Sequence, residues 1–359
     1  MHRKSLSKPL KIAFVDIDAT FTGHSTVTRK ARVKLEELGY ALVFVTARTE
    51  EMVMSQDEYQ KSLQLGCIRP KPFLKKQQNI YTYVDPKVHN TNLVDPDIII
   101  GSTGTQILVK QISGGYAPDV SFEKQFVFSP RIWREKVLKF IHMIDPEETF
   151  VHLAPIESEK NYREQKTNVF PPAYRVMLFF KNLAGKIYFL QEIEKRKHTD
   201  TFLSLLNFID DSHPEKEEFI TYITPHKTSK RFAVEHVVDH IIKQTHIQKS
   251  ELHVLLAGDS FPDLTMLLYG AIGTKATAIA VGGSRLTQVL THESNHMYAG
   301  ENMFLHKKKL KIQKGKTGHY NFTTIIEKET IHIRNIIFGD QAFPKTKGPE
   351  TILAYLNSI

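Results

Sequence analysis

The chain has 359 residues, 41% of them hydrophobic and 24% charged, an ordinary globular balance with length enough for two domains. No apolar run reaches the ~18 residues of a membrane helix, and the start MHRKSLSKPLK lacks the apolar stretch of a secretory signal. The single cysteine, Cys67, excludes an internal disulfide framework and a cysteine-rich zinc site, so a cytoplasmic protein without a membrane partner is expected.

In chain order, Lys11-Ile12-Ala13-Phe14-Val15 is a short apolar run suited to a buried parallel strand. Thr28 to Gly39 reads as a helix with Ala31, Val33, Leu35 and Leu38 as its apolar positions and Gly39 as its stop. Ala41 to Val45 is a second buried strand, and strand–helix–strand makes a βαβ unit. Asp97 to Ile100, then the Gly101–Thr105 turn and Gln106 to Val109, predict a strand, a tight turn and a return strand. From about Tyr116 to Tyr222 helices (Pro130 to Met143, Gly185 to Lys197) mix with strands (Tyr174 to Phe180, Thr201 to Ile209), as in an inserted α+β domain. The parallel pattern resumes with helix Lys230 to Thr245, strand His253 to Ala257, helix Asp263 to Tyr269 and strand Ala276 to Val281, and Pro349 to Asn357 is the last helix. The expected division is 1–115 and 223–359 as one α/β core with 116–222 inserted. A Lys-rich insertion lies near 301–318.

The net charge of +9 fits anionic substrates, nucleic acid or a basic surface without a specific partner, and does not choose among them. Lys307 to Lys316 holds much of it; a solvated hairpin or loop is the plain reading of such a run.

Four short segments carry chemistry. Asp16-Ile17-Asp18-Ala19-Thr20 leaves the first strand at its carboxyl end, where sites form in parallel sheets. Asp16 can attack phosphorus and Asp18 can serve as general acid and base. Crowded carboxylates beside a phosphate call for a hard cation, Mg2+. The plain alternative is a polar turn. Thr46, with the Ala47 backbone, ends the second strand and suits phosphate oxygens, although a threonine there can equally be a helix cap. Lys230, with Lys227 as its rival, opens a helix and can neutralise Asp16, although most lysines face solvent. Asp259 and Asp263 lie four apart after an apolar strand and can face one cation; Ser260 with Pro262 also reads as a helix start.

Nucleophile, hydroxyl, lysine and acid pair, in that order, resemble the four motifs of the haloacid dehalogenase superfamily. The resemblance implies Asp16 as nucleophile and Asp18 as acid/base. It implies Thr46, Ala47 and Lys230 as phosphate ligands, and Asp16, Asp18, Asp259 and Asp263 around Mg2+. About 180 residues separate Thr46 from Lys230, which resembles the type IIB-capped branch. Ser102 to Ile107, Pro118-Asp119, Trp133 and Ser229-Lys230 are similar to sucrose-phosphate phosphatases and related sugar-phosphate phosphatases. The implied fold is a Rossmann-like doubly wound parallel sheet with an inserted α+β type II cap.

The sequence departs from the family pattern at Ala19, Arg231 and Pro262, where glycine, glycine and asparagine are usual. Glu157 to Arg163 stands where a sucrose-contacting segment is expected, so sucrose phosphate is not named as the substrate. The resemblance implies a Mg2+-dependent phosphatase of a small, sugar-like phosphorylated metabolite, with nucleic acid not expected as a partner. The alternatives are a sugar phosphomutase and a non-catalytic binding protein of the same fold.

Overall fold

The computed structural model describes residues 10–22, 25–66, 95–154, 173–212, 216–284, 286 and 329–359, with short segments at 75–77, 80–82, 296–298, 304–306 and 318–326. Glu157–Arg163 and Lys307–Lys316 lie outside the described residues. The chain divides into two compact units: Met1–Thr46, Asn92–Ile100 and Lys230–Ile359 form the first, Ala47–Thr91 and Gly101–Ser229 the second.

The first unit is built on a sheet. Its strands are β1 (Lys11–Val15), β2 (Tyr40–Val45), β3 (Ile98–Gly101), β4 (His253–Gly258), β5 (Lys275–Ala280), β6 (His296–Tyr298), β7 (Phe304–His306), β8 (His319–Ile326) and β9 (Glu329–Phe338). They lie in the order β6-β7-β8-β9-β5-β4-β1-β2-β3. From β9 to β3 every pairing is parallel, and β6 to β9 extend the sheet antiparallel. β1 sits between β2 and β4, and its Ala13, Phe14 and Val15 have no exposed surface. Continuous apolar runs are what a strand covered on both faces requires. Full burial of a Phe or Val contributes about 1.5–3 kcal/mol. The register aligns Val15 with Ala257 on one side and Phe44 on the other. Asp16, Thr46 and Asp259 therefore leave the same end of three adjacent strands.

Helix α1 (Ser25–Glu37) follows β1, and Gly39 ends its turn at φ 79°, the left-handed conformation that glycine adopts without penalty. α2 (Lys230–Thr245), α3 (Phe261–Tyr269) and α4 (Pro349–Asn357) follow the expected positions. Pro262 stands in the first turn of α3, where its missing N–H costs nothing.

In the second unit, strands 206–210, 219–225, 176–180 and 151–153 form an antiparallel sheet in that order. Helices Pro130–Ile144 and Leu183–Lys197 supply Trp133, Val137, Phe140, Phe189 and Ile193 to a core shared with Val176, Leu178, Phe180 and Ile223 of the strands. The strand expected over Thr201 to Ile209 is shorter: Leu203–Leu205 form a 3-10 turn and pairing begins at Leu206. Asp200 Oδ1 accepts from the Phe202 N–H at 2.9 Å, and such a local side-chain bond competes with the ladder.

Candidate active site

Asp16 follows β1 directly, and its N–H donates to the Ala257 carbonyl at 2.9 Å, so the ladder holds it in place. Its side chain is buried. Lys230, the first residue of α2, is 3% exposed. Its Nζ donates to Asp16 Oδ1 at 2.6 Å and to Asp263 Oδ1 at 2.5 Å. The rival Lys227 is exposed in the preceding turn at φ 57°. Burial settles which lysine reaches the nucleophile candidate.

Asp263 lies in the first turn of α3, and both oxygens of its carboxylate accept hydrogen bonds. Oδ1 takes Lys230, while Oδ2 accepts from the N–H of Asp259 (3.1 Å), the N–H of Ser260 (3.0 Å) and the Ser260 hydroxyl (2.9 Å). It thus locks the turn that presents Asp259. A side chain on Gly258 would put its Cβ 2.5 Å from the Cβ of Asp263, so only glycine fits there. Asp259 Oδ1 accepts from the Thr20 hydroxyl at 2.9 Å.

Carboxylate oxygens of Asp16, Asp259 and Asp263 all lie within 4.8 Å of one another. Burial, then the charge of Asp263, pushes the Asp16 carboxyl well above its ordinary value, and Lys230 only partly offsets this. Burial and Asp263 likewise raise Asp259 to about 6. On Lys230 burial works against the charge, but Asp16 and Asp263 outweigh it and drive its pKa up. Three carboxylates against one ammonium leave excess negative charge in a buried place. An all-oxygen donor set of this kind fits a hard divalent cation such as Mg2+.

The structure brings Asp16, Lys230, Asp259 and Asp263 together. Asp18 is exposed, two residues along the same turn. Thr46 is fully buried at the end of β2, its N–H bonded to the Ile100 carbonyl at 2.8 Å. Ala47 falls in the second unit, where its carbonyl accepts from Arg175 Nη1. Ala19 adopts φ 53°, a conformation that explains the glycine usual there; alanine bears roughly 1–2 kcal/mol in it. Close by, a Cβ on Gly348 would stand 2.8 Å from the Ala19 carbonyl oxygen. Arg231 pairs with Glu235 at 3.0 Å along α2. Sequence reasoning missed Thr20 and Gly258 as site residues. The Gly-Asp pair after an apolar strand was the available signal for Gly258; Thr20 had none.

No family profile matches the sequence, and no curated protein matches it. Solved structures resembling the chain include haloacid dehalogenase-like hydrolases and a sucrose-phosphatase. They include a Synechocystis sucrose-phosphatase in complex with sucrose and phosphate, at 15% identity and a TM-score of 0.46 over 78% of this chain and 86% of that one. A haloacid dehalogenase-like hydrolase from Bacillus subtilis matches at 13% identity and TM-score 0.41, over 78% of this chain and 85% of that one. A haloacid dehalogenase-like hydrolase from Bacteroides thetaiotaomicron matches at 13% and 0.41, over 77% and 90%. Among the described residues no helix is long and apolar enough to cross a membrane.

Proposed function

We propose that the protein is a Mg2+-dependent phosphatase that hydrolyses a small phosphorylated metabolite, probed best among sugar phosphates, through an aspartyl-phosphate on Asp16. One observation carries this reading: a buried lysine ties Asp16 to Asp263, and one carboxylate oxygen from each of Asp16, Asp259 and Asp263 lies within 4.8 Å of the other two. A structural ion pair needs one partner of each sign. Three acids gathered on one base, with two carboxyl pKa values pushed up, suit a site that awaits a cation and a phosphoryl group.

In this reading Asp16 attacks phosphorus and carries the covalent intermediate. Asp18, exposed in the same turn, protonates the leaving oxygen and then takes a proton from the attacking water. Lys230 neutralises the transferring group, joined by the Thr46 hydroxyl and the Ala47 backbone. Mg2+, when bound, lets a carboxylate approach a phosphate dianion without prohibitive repulsion. Asp16, Asp259 and the Asp18 backbone would hold it. Asp263 stands at the same place, and with both oxygens already hydrogen bonded its part is to hold Lys230 and the Asp259 turn. The module 116–222 is assigned the selection of substrate. The sugar-phosphate preference draws on the sequence likeness at Ser102–Ile107.

The test is a phosphate-release screen over sugar phosphates, glycerate phosphates and nucleotides, with Asp16→Asn as blank and EDTA as a second control. Free phosphate released by the wild type alone, restored by Mg2+ after chelation, supports the reading. An isomerised sugar phosphate without free phosphate would instead make the protein a mutase.

A further inference from the structure

The second unit contains a cavity of about 250 Å3 lined by Phe126, Phe128, Trp133, Tyr174, His226 and Lys227, among others. Its walls are aromatic. Phe126 stacks on Tyr174 with centroids 4.1 Å apart and planes at 28°, and Trp133 meets Tyr174 edge-on at 5.9 Å. The hydroxyl of Tyr174 donates to the Phe128 carbonyl at 2.8 Å, fixing that ring to the loop opposite. Phe126, Phe128 and Tyr174 are only half-buried, so part of each ring stays accessible where it lines the cavity. Trp133 is 2% exposed, and its indole N–H has no acceptor among the described residues.

The mouth is of different chemistry. His226 and Lys227 are exposed there, and Lys227 is held at φ 57° in a turn pinned by the His226 N–H to the Leu205 carbonyl at 2.7 Å. Partial burial of its ring, then the charge of Lys227, pushes His226 below its ordinary value, so at neutral pH the cation at the mouth is Lys227.

From this arrangement we propose that the cavity is a binding site for a small organic anion made of one planar ring and one carboxylate or phosphate. The ring lies against the stacked Phe126–Tyr174 pair, beside Trp133, and the anionic group is met by Lys227. Volume limits the ligand to a single ring: drug-sized ligands occupy pockets of ~300–1,000 Å3, above what is present. Flat aromatic walls favour a planar ring over a puckered one, because stacking adds to the burial of area. No phosphoryl chemistry is required of this site, and Asp16, Lys230, Asp259 and Asp263 are not among its lining residues.

Trp133 is the only tryptophan of the chain, so its fluorescence reports on this cavity alone. The full-length protein is titrated with benzoate and, in parallel, with cyclohexanecarboxylate and with benzyl alcohol. Benzoate is expected to change the emission saturably, with Kd at or below about 1 mM. The puckered acid and the uncharged ring are both expected to bind more weakly. Lys227→Glu, on an exposed side chain, is expected to weaken benzoate binding by at least about two- to five-fold. Tyr174→Ala is expected to weaken it by about two- to ten-fold, with circular dichroism showing the fold retained. Absence of a saturable change with benzoate overturns the site. Equal binding of all three probes, or full affinity in Lys227→Glu, overturns the ligand class. Binding is read without turnover, so failure here leaves the phosphatase reading untouched and the reverse also holds.

Discussion

The Thr20 hydroxyl donates to Asp259 Oδ1 at 2.9 Å across 239 positions of sequence, joining the loop after β1 to the loop after β4. It leaves one oxygen of Asp259 committed and orients the other.

Removing that hydroxyl while keeping its shape is therefore a test of the metal assignment. Thr20→Val is expected to lower apparent Mg2+ affinity by about 10–100-fold, the usual cost of losing an orienting hydrogen bond behind a metal ligand. Thr20→Ser should restore most of it. Mg2+ titration of phosphate release measures both, and unchanged affinity in Thr20→Val would remove Asp259 from the metal site.

Lys230→Met places an apolar chain where two carboxylates expect a cation. Breaking a buried pair of this kind costs about 3–5 kcal/mol, and turnover should fall by about 10²-fold or more as charge stabilisation is lost. Urea denaturation and phosphate release report the two effects. Lys227→Met, on the exposed rival, should leave both unchanged.

The buried carboxyls set a pH dependence. Asp259 titrates near 6 in the folded protein against an ordinary value of 3.8, and Asp16 is raised as well. Between these values the folded chain holds more protons than the unfolded one, so stability without metal falls as pH rises through the window from about 4 to above 6. Below 3.8 the penalty is absent because both states are protonated. A cation bound at the carboxylates displaces those protons, so Mg2+ affinity should rise with pH across the same window. Thermal unfolding at pH 5 and pH 8, with EDTA and with Mg2+, tests it: the stabilisation by Mg2+ should be larger at pH 8.

Gly258→Ala forces a methyl group into Asp263, 2.5 Å from its Cβ and 2.7 Å from its Cγ. The expected cost is about 1–3 kcal/mol of stability, with a larger loss of activity because Asp263 holds both Lys230 and the Asp259 turn. Chemical denaturation beside phosphate release separates the two.

Much of the first unit was legible because its parallel strands are short apolar runs and its helices space their apolar residues helically: strand Lys11–Val15 and helices Lys230–Thr245 and Pro349–Asn357 have the bounds read from sequence. Asp16, Thr46 and Asp259 were legible because each follows an apolar strand. Thr20 was not, since a threonine in a polar turn has no periodic signal and its partner comes from another part of the chain. Lys230 and Lys227 could not be separated by spacing; the left-handed turn at Lys227, which turns one outward and the other inward, is a backbone property. The antiparallel extension was missed as well. His319–Ile326 and Glu329–Phe338 mix polar with apolar residues, and they follow a basic run that reads as a solvated hairpin or loop.

The nucleophilic role of Asp16 has one direct measurement. Protein mixed with a substrate found in the phosphate-release screen, in the presence of Mg2+, is quenched in acid within one turnover and digested for peptide mass spectrometry. The expected result is one added phosphoryl group on the peptide bearing Asp16, absent from Asp16→Asn, which also fails to turn over. Turnover with no phosphoryl group at Asp16, or with the Asp16→Asn protein still active, would contradict it.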